Sequence, residues 1–347
     1  MKILFIANPH LDLYKDIEAE LQKQGHEVVT IADEILKIDP FYKSGNFLFL
    51  KKILFSISNV HTSFWKRIIR INAHLSERYD LLLALSGSSI GEYLIKYLEA
   101  KNPNIRKVLY TWDSCNYYNF NRLVQWFDKC YTFDLLDAQE STHWKLLPIY
   151  YIPSTLSHEV QKKYDLFCIG TNHDGRYTLL KRIMPQLIDN KLKFYIKLVE
   201  LRNSVPLKSK LKYFLKKYLS PIENEEFLDE MEFVMGNDEI GVASDEIVNH
   251  DEYDRYSNMS NCILDSQREG QSGLTARFVW ALANGQKIIT TNKYVVDYAF
   301  INAGQVCIID KMNPVVPVDF VKSPLCEENV TDVTFLRIDN WVKELLA

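Results

Sequence analysis

Asn261-Cys262-Ile263-Leu264-Asp265-Ser266-Gln267-Arg268-Glu269-Gly270-Gln271-Ser272-Gly273-Leu274-Thr275-Ala276-Arg277 is the stretch that decides the fold. Asn261–Asp265 reads as a short buried strand, and a polar, glycine-bearing loop follows it. A helix is expected from about Leu274 to Asn284, and another strand over Lys287–Thr290. Strand, loop, helix, strand is the building unit of an α/β domain. In open α/β sheets ligands sit beyond the carboxyl ends of strands, so the loop is also a candidate site. Gly270 and Gly273 let backbone amides approach an anion, and a helix N-terminus adds about half a positive charge. Thr275 offers a hydroxyl and Arg277 a planar fork for phosphate oxygens. No GKS or GKT follows, so this is not a Walker loop, and it is not a GxGxxG fingerprint. The same letters also describe a capped helix with a surface arginine.

The unit recurs along the chain. Ile3–Ala7 is a strand ending in Asn8-Pro9-His10; an amphipathic stretch from Leu13 to Gln24 is closed by Gly25, and Val28–Ile31 is the next strand. Leu81–Leu85 leads into Ser86-Gly87-Ser88-Ser89 and a helix to about Glu99. Lys107–Thr111 and Lys129–Phe133 are further strands. The pattern restarts at Tyr164–Gly170, with a helix over 174–189 and a strand over Lys193–Leu198. Continuous apolar strands covered on both faces imply parallel sheets. The expected fold is α/β, two doubly wound Rossmann-like domains over 1–152 and 153–347, with Pro153-Ser154 in the linker. A last helix near Asn340–Leu346 is a candidate to cross back onto the first domain.

A length of 347 residues suits two domains, and 47% apolar with 25% charged residues is an ordinary globular balance. Net charge −4 argues against a generally basic nucleic-acid coat. Twelve glycines and eleven prolines argue against collagenous or linker-rich chains. The six cysteines form no CxxC pair; Cys130, Cys168, Cys262 and Cys307 lie in apolar runs, as buried reduced thiols do. The N-terminal apolar run is too short for a signal-peptide core, and no run reaches the ~18 residues of a membrane span. A cytoplasmic protein is expected. His61, His74, His143, His158, His173 and His250 lack paired ligand spacing, so no metal site is expected.

The strand-end rule selects further residues. Asp113, in Trp112-Asp113-Ser114, reads either as a base for an acceptor hydroxyl or as a turn residue, and His10 is the other base candidate. Asp134 is expected to cap a helix with Asp137 in its first turn. Gly170 and Thr171 end a strand; Arg176 six residues after Gly170 is placed to meet a diphosphate, or is a solvated helix arginine. Lys197, polar inside a strand, faces a ligand or solvent.

The run Gln271-Ser272-Gly273-Leu274-Thr275-Ala276-Arg277, then Ala281-Leu282-Ala283-Asn284-Gly285-Gln286-Lys287-Ile288-Ile289-Thr290-Thr291-Asn292, resembles the donor-binding region of GT-B glycosyltransferases. The resemblance is to bacterial lipopolysaccharide and capsule enzymes, CgeB-like ones included. Tyr110–Ser114, Phe133–Ala138 and Asp165–Gly170 with Arg176 extend it in order over roughly residues 105–295. It implies a donor site in the second domain, an acceptor site in the first, and a cleft between. Gly170, Thr171, Arg176, Lys197, Glu269, Gln271, Ser272, Gly273, Leu274, Thr275 and Arg277 would hold a nucleotide-sugar as substrate, with no cofactor and no metal. Ser86, Gly87, Ser88 and Trp112 would meet a glycan or lipid-linked acceptor. Many retaining relatives carry a glutamate where this chain has Trp280; Glu269 is a substitute candidate. The expected activity is glycosyl transfer onto a bacterial surface glycan. A nucleotide-sugar 2-epimerase or a degenerate glycan-binding protein of the same fold are the alternatives.

Two segments suggest a surface partner. Residues 43–78 carry seven basic residues against Glu77 alone, interleaved with Phe47, Phe49, Phe55, Phe64 and Trp65, a mix suited to an anionic membrane. Leu207, Leu211, Phe214 and Tyr218 share one helical face beside Lys208, Lys210, Lys212, Lys216 and Lys217, the pattern of a core-facing helix with a solvated lysine face. Glu223, Glu225, Glu226, Asp229 and Glu230 follow and are placed to neutralise it. No nucleic-acid motif accompanies either segment, so none is expected as a partner. The expected location is the cytoplasm, with peripheral attachment to the inner face of the cytoplasmic membrane as the alternative.

Overall fold

The computed structural model describes residues 1–9, 13–33, 60–154, 161–199, 207–219, 224–246 and 248–347. His10 and residues 43–59 of the basic segment, with Lys43, Lys51 and Lys52, lie outside the described residues. The chain forms two units, Met1–Tyr150 with Phe335–Ala347, and Tyr151–Thr334. The division falls at 150/151, and residues 335–347 belong to the first unit instead of the second.

In the first unit the leucine and isoleucine runs become strands because both of their faces are covered. It comprises β1 (Lys2–Ala7), α1 (Leu13–Lys23), β2 (Glu27–Ala32), α2 (Val60–Ile71), β3 (Leu81–Leu85), α3 (Glu92–Lys101), β4 (Arg106–Thr111), β5 (Lys129–Thr132), α4 (Leu135–Glu140) and β6 (Trp144–Leu146). The sheet order is β2-β1-β3-β4-β5-β6, all parallel. All five residues of β3 are buried, as a central parallel strand requires. Leu94, Ile95 and Leu98 of α3 and Phe64 and Trp65 of α2 fill one core. Phe64 and Trp65 are therefore core residues, not membrane-facing ones. A final helix, Ile338–Leu346, seals the unit: Trp341 is fully buried, lies 4.7 Å from the Tyr110 ring and 5.2 Å from Tyr150, and donates to the Pro148 carbonyl at 2.9 Å.

The second unit holds β7 (Tyr164–Thr171), α5 (Arg176–Asp189), β8 (Phe194–Val199), α6 (Leu207–Leu219), α7 (Glu225–Val234), β9 (Ala243–Ser244), α8 (His250–Asn258), β10 (Ser260–Asp265), α9 (Ala276–Ala283), β11 (Lys287–Thr290), β12 (Val306–Ile308) and α10 (Val318–Lys322). Its parallel sheet runs β12-β11-β10-β7-β8-β9. Numbered within the unit, this is the doubly wound order 3-2-1-4-5-6 read from β9. The order reverses between β7 and β10, so the loops after these two strands border the crevice where ligands bind in such sheets. Thr275 ends the expected loop by accepting from the Phe278 amide at 3.2 Å, so α9 starts at Ala276. Cys168 and Cys262 of this unit and Cys130 of the first are buried and free; Cys307, expected buried, is half-exposed because β12 is an edge strand.

Candidate functional site

In the second unit, the loops after β7 and β10 meet on two arginines. Arg176 is 3% exposed. Its Nε donates to Ser266 Oγ at 2.9 Å, Nη2 to the Ser266 carbonyl at 3.1 Å, and Nη1 to the Thr171 carbonyl. It is thus not the solvated helix arginine that its position at the start of α5 also allowed. Arg277 reaches the same Ser266 carbonyl at 3.3 Å, and its Nε and Nη2 donate to Asp265 Oδ1 at 3.2 and 3.0 Å. Gly170 makes the pairing possible: a Cβ there would sit 2.7 Å from Arg176 Nη1 and 3.2 Å from Arg277 Nη1.

Two guanidiniums thus meet on the Ser266 carbonyl, and the fully buried carboxylate of Asp265 pairs with Arg277 alone of the two, so this pair of arginines carries an excess positive charge. Burial, and then Arg277, pull the Arg176 pKa down to about 10. Burial is the largest effect on Arg277 and opposes its charge, but Asp265, Tyr253 and Cys168 together hold the group above its ordinary value. An anion would relieve this imbalance.

The remaining donor candidates divide. The Thr275 hydroxyl proton goes to Asp265 at 2.7 Å, so Thr275 caps α9 and braces the carboxylate instead of offering its hydroxyl to a ligand. Ser272 and Gly273 are held through their carbonyls by Asn292 Nδ2 at 3.1 and 3.4 Å, and Tyr298 also donates to Ser272. Leu274 is buried, Gln271 closes a turn onto the Arg268 carbonyl at 3.2 Å, and Glu269 is exposed. Lys197 is not brought to the arginines: its ammonium sits over the Tyr195 ring at 5.5 Å, and Tyr195 stacks on Tyr256 of α8. Trp280 packs edge-on against Tyr253 at 5.3 Å. Sequence reasoning missed Ser266 as the shared acceptor, and Arg268, whose Nε is 3.6 Å from Asp174 and ties the two loops together.

In the first unit, the loops after β3 and β4 lie at one end of the sheet, joined by the Ser86 amide on the Tyr110 carbonyl at 2.8 Å. Ser86 and Gly87 both take left-handed backbone, φ 64° and 61°. Asp174, beside Arg176, is also left-handed at φ 53°. Such strain in a non-glycine residue persists only where surroundings impose it, and it gathers at functional loops. Here the surroundings are Arg122, which donates to the Ser88 and Ile90 carbonyls at 2.9 and 2.7 Å, and Asp33, which accepts the Ser89 amide at 3.1 Å. Burial raises the Asp33 pKa against its hydrogen bonds to Ser89 and Ser88 and the Arg122 charge. Nothing in the local pattern singled out Asp33 or Arg122.

Trp112 and Asp113, both half-buried, follow β4. Their loop is tied down by Asp137, which accepts the Cys115 amide at 2.8 Å and the Ser114 hydroxyl at 3.4 Å. Asp134 caps α4, accepting the Leu136 and Asp137 amides at 3.1 and 3.3 Å. Asp134 and Asp137 are thereby scaffold.

No family model matches the chain, and no curated protein sequence matches it significantly. Solved structures do. An alpha,alpha-trehalose-phosphate synthase (UDP-forming) from Burkholderia vietnamiensis aligns over 100% of this chain and 99% of its own, at TM-score 0.60 and 9% identity. An E. coli trehalose-6-phosphate structure bound with UDP-2-fluoro glucose aligns over 100% and 98%, at 0.59 and 10%. The apo form of the lipopolysaccharide outer core galactosyltransferase WaaB aligns over 100% and 98%, at 0.54 and 10%. At such identities the likeness is one of fold: the chain consists of two doubly wound parallel-sheet units of the GT-B kind.

Proposed function

We propose that this protein is a glycosyltransferase that moves a sugar from a nucleotide-sugar to a growing bacterial surface glycan, such as lipopolysaccharide, O-antigen or capsule. The observation that carries the reading is the Arg176–Arg277 pair converging on the Ser266 carbonyl, with Arg277 also held by Asp265, at the strand-order reversal of the second sheet. Glycosyl transfer expels a nucleoside diphosphate, and preorganised guanidiniums beside backbone amides stabilise the charge that grows on it. Gly170, Thr171 and the Gln271–Leu274 backbone would complete the donor site. With that charge supplied by arginines, the reading needs no divalent metal. The fold likeness to a UDP-forming synthase, and to a structure bound with a UDP-sugar analogue, supports a nucleotide-sugar donor.

Asp113 is assigned the acceptor side, with Ser86, Gly87, Ser88 and Trp112. In an inverting transfer its carboxylate would take the proton of the acceptor hydroxyl as that oxygen attacks the sugar carbon. In a retaining transfer it would orient the acceptor. The acceptor is a glycan or lipid-linked saccharide met at the inner face of the membrane.

A thermal-shift series with nucleoside diphosphates tests the donor site. Near 100 Kd, binding to the folded form contributes ~2.7 kcal/mol, or roughly 5–10 °C for a unit of this size. No shift with any of them removes the reading. Nucleotide-sugar consumption with and without acceptor then separates transfer from epimerisation, and absence of both leaves a binding protein.

A further inference from the structure

Helix α6 (Leu207–Leu219) turns its apolar face outward. Leu207, Leu211, Phe214, Leu215, Tyr218 and Leu219 are each between 52% and 84% exposed. At ~100° per residue they occupy about 140° of the circumference. The opposite side holds Tyr213, which is buried with Leu228 and Met231 of α7. The core-facing arrangement that the periodicity suggested is therefore reversed: one aromatic anchors the helix, and the apolar stripe faces solvent. Lys208, near the start of the helix, falls on the same arc, and an exposed apolar stripe of this width marks an interaction surface.

Lysines border the stripe on both sides, Lys210 and Lys217 along one edge and Lys212 and Lys216 along the other. Glu223 lies outside the described residues, and three of the acids of α7 pair with other cations. Glu225 pairs with Arg182 at 2.6 Å, Glu226 with Lys311 at 2.9 Å and Asp229 with Lys181 at 2.9 Å. Glu232 takes Lys217 alone, at 2.8 Å. Lys212 and Lys216 lie over the Phe227 ring of α7, each 4.8 Å from its centre, and Lys216 also donates to Asn224 Oδ1.

From this we infer that α6 is a membrane-docking helix that lies in the interface of an anionic bilayer. Its six apolar side chains would enter the acyl boundary while the flanking lysines meet lipid phosphates. Charge selects this occupant: a second copy placed face to face would oppose lysine to lysine, whereas an anionic surface complements them. The inference gives a definite element to the peripheral placement proposed above. It is read by lipid binding, so its failure is distinct from failure of the nucleotide site.

The test is co-sedimentation of the full chain with phosphatidylcholine vesicles, and with vesicles carrying about a third phosphatidylglycerol. Binding to the anionic vesicles that weakens as salt rises is expected. Phe214→Asp with Leu215→Asp should lower partitioning about tenfold or more, with the melting temperature and any nucleoside diphosphate shift unchanged. Lys210→Glu with Lys212→Glu should remove the preference for anionic lipid. Undiminished binding by the Phe214/Leu215 variant, or no binding of the wild type to anionic vesicles, overturns the inference. So does self-association that this variant abolishes without any lipid binding, which would make the face a contact between copies.

Discussion

Replacing Gly170 by alanine tests the arginine pair directly. The backbone at Gly170 is outside the left-handed region, so alanine meets resistance only from its surroundings. Its Cβ would stand 2.7 Å from Arg176 Nη1, where ordinary contact begins at 3.4 Å, so the guanidinium would have to retreat by about 0.7 Å. Arg176 has no slack for this. A retreat on that scale stretches its 2.9 Å bond to Ser266 Oγ beyond hydrogen-bond range, and it is held by two further carbonyls. Overpacking of this kind costs ~1–3 kcal/mol, and a hydrogen bond from a charged group contributes ~1.5–3 kcal/mol. Gly170→Ala should therefore lower the melting temperature by ~4–8 °C, the effect of about 2 kcal/mol on a unit of this size. If the guanidinium also holds the diphosphate, affinity for a nucleoside diphosphate should fall roughly 10–100-fold. Differential scanning calorimetry and titration calorimetry read the two effects separately. An unchanged melting temperature refutes the packing of the guanidinium against Gly170. A lowered melting temperature with full affinity refutes the role of Arg176 in the donor site.

Asp113→Asn should leave stability and nucleoside diphosphate affinity intact while lowering transfer by ~10²–10⁴, as loss of a general base does; near-normal turnover removes Asp113 from that role and turns attention to His10. Trp341→Ala should cost the first unit ~3–5 kcal/mol, because the ring is fully buried against Tyr110 and Tyr150 and its Nε1 serves the Pro148 carbonyl; calorimetric transitions identical to wild type contradict this. Hydrogen bonds from Arg337 at 2.6 and 2.8 Å pull the Asp339 carboxyl down to about 2, against the opposing effect of burial. The folded value lies below the unfolded ~3.9, so this stabilisation is complete above about pH 4 and is lost as pH falls toward 2. Solvent screening limits it to ~1 kcal/mol or less, and Asp339→Asn should flatten that limb of melting temperature against pH; an identical acid limb argues against the pair.

The central strands were legible because a strand buried on both faces is mainly apolar, as β3 is over its whole length. The short outer strands β6, β9 and β12 were not, since two or three residues carry no periodicity. At the candidate site the loop and its two arginines could be named, because a strand end followed by glycines and a helix start is a local pattern. That Arg176 is buried could not, because its anchor, Ser266, lies 90 residues away. Thr275 illustrates a confusion of roles: a hydroxyl before a helix fits a ligand or a cap equally well, and Asp265 decided it. Helix α6 exposes another limit. A 3.6-residue period states that one face is apolar but not which way that face points, and Tyr213 turned it outward.

The return of the final helix to the first unit also bears on how the protein is made. The groove lined by Tyr110 and Tyr150 is synthesised by residue 150, but the tryptophan that fills it arrives at residue 341. At ~5–20 residues per second, the ribosome takes roughly 10–40 s to cover the interval. The whole of Tyr151–Thr334 emerges in that time as a continuous segment with its own sheet. The unit begun first is thus finished second, and its unfilled aromatic groove is the surface that a nascent-chain chaperone would have to cover while it waits.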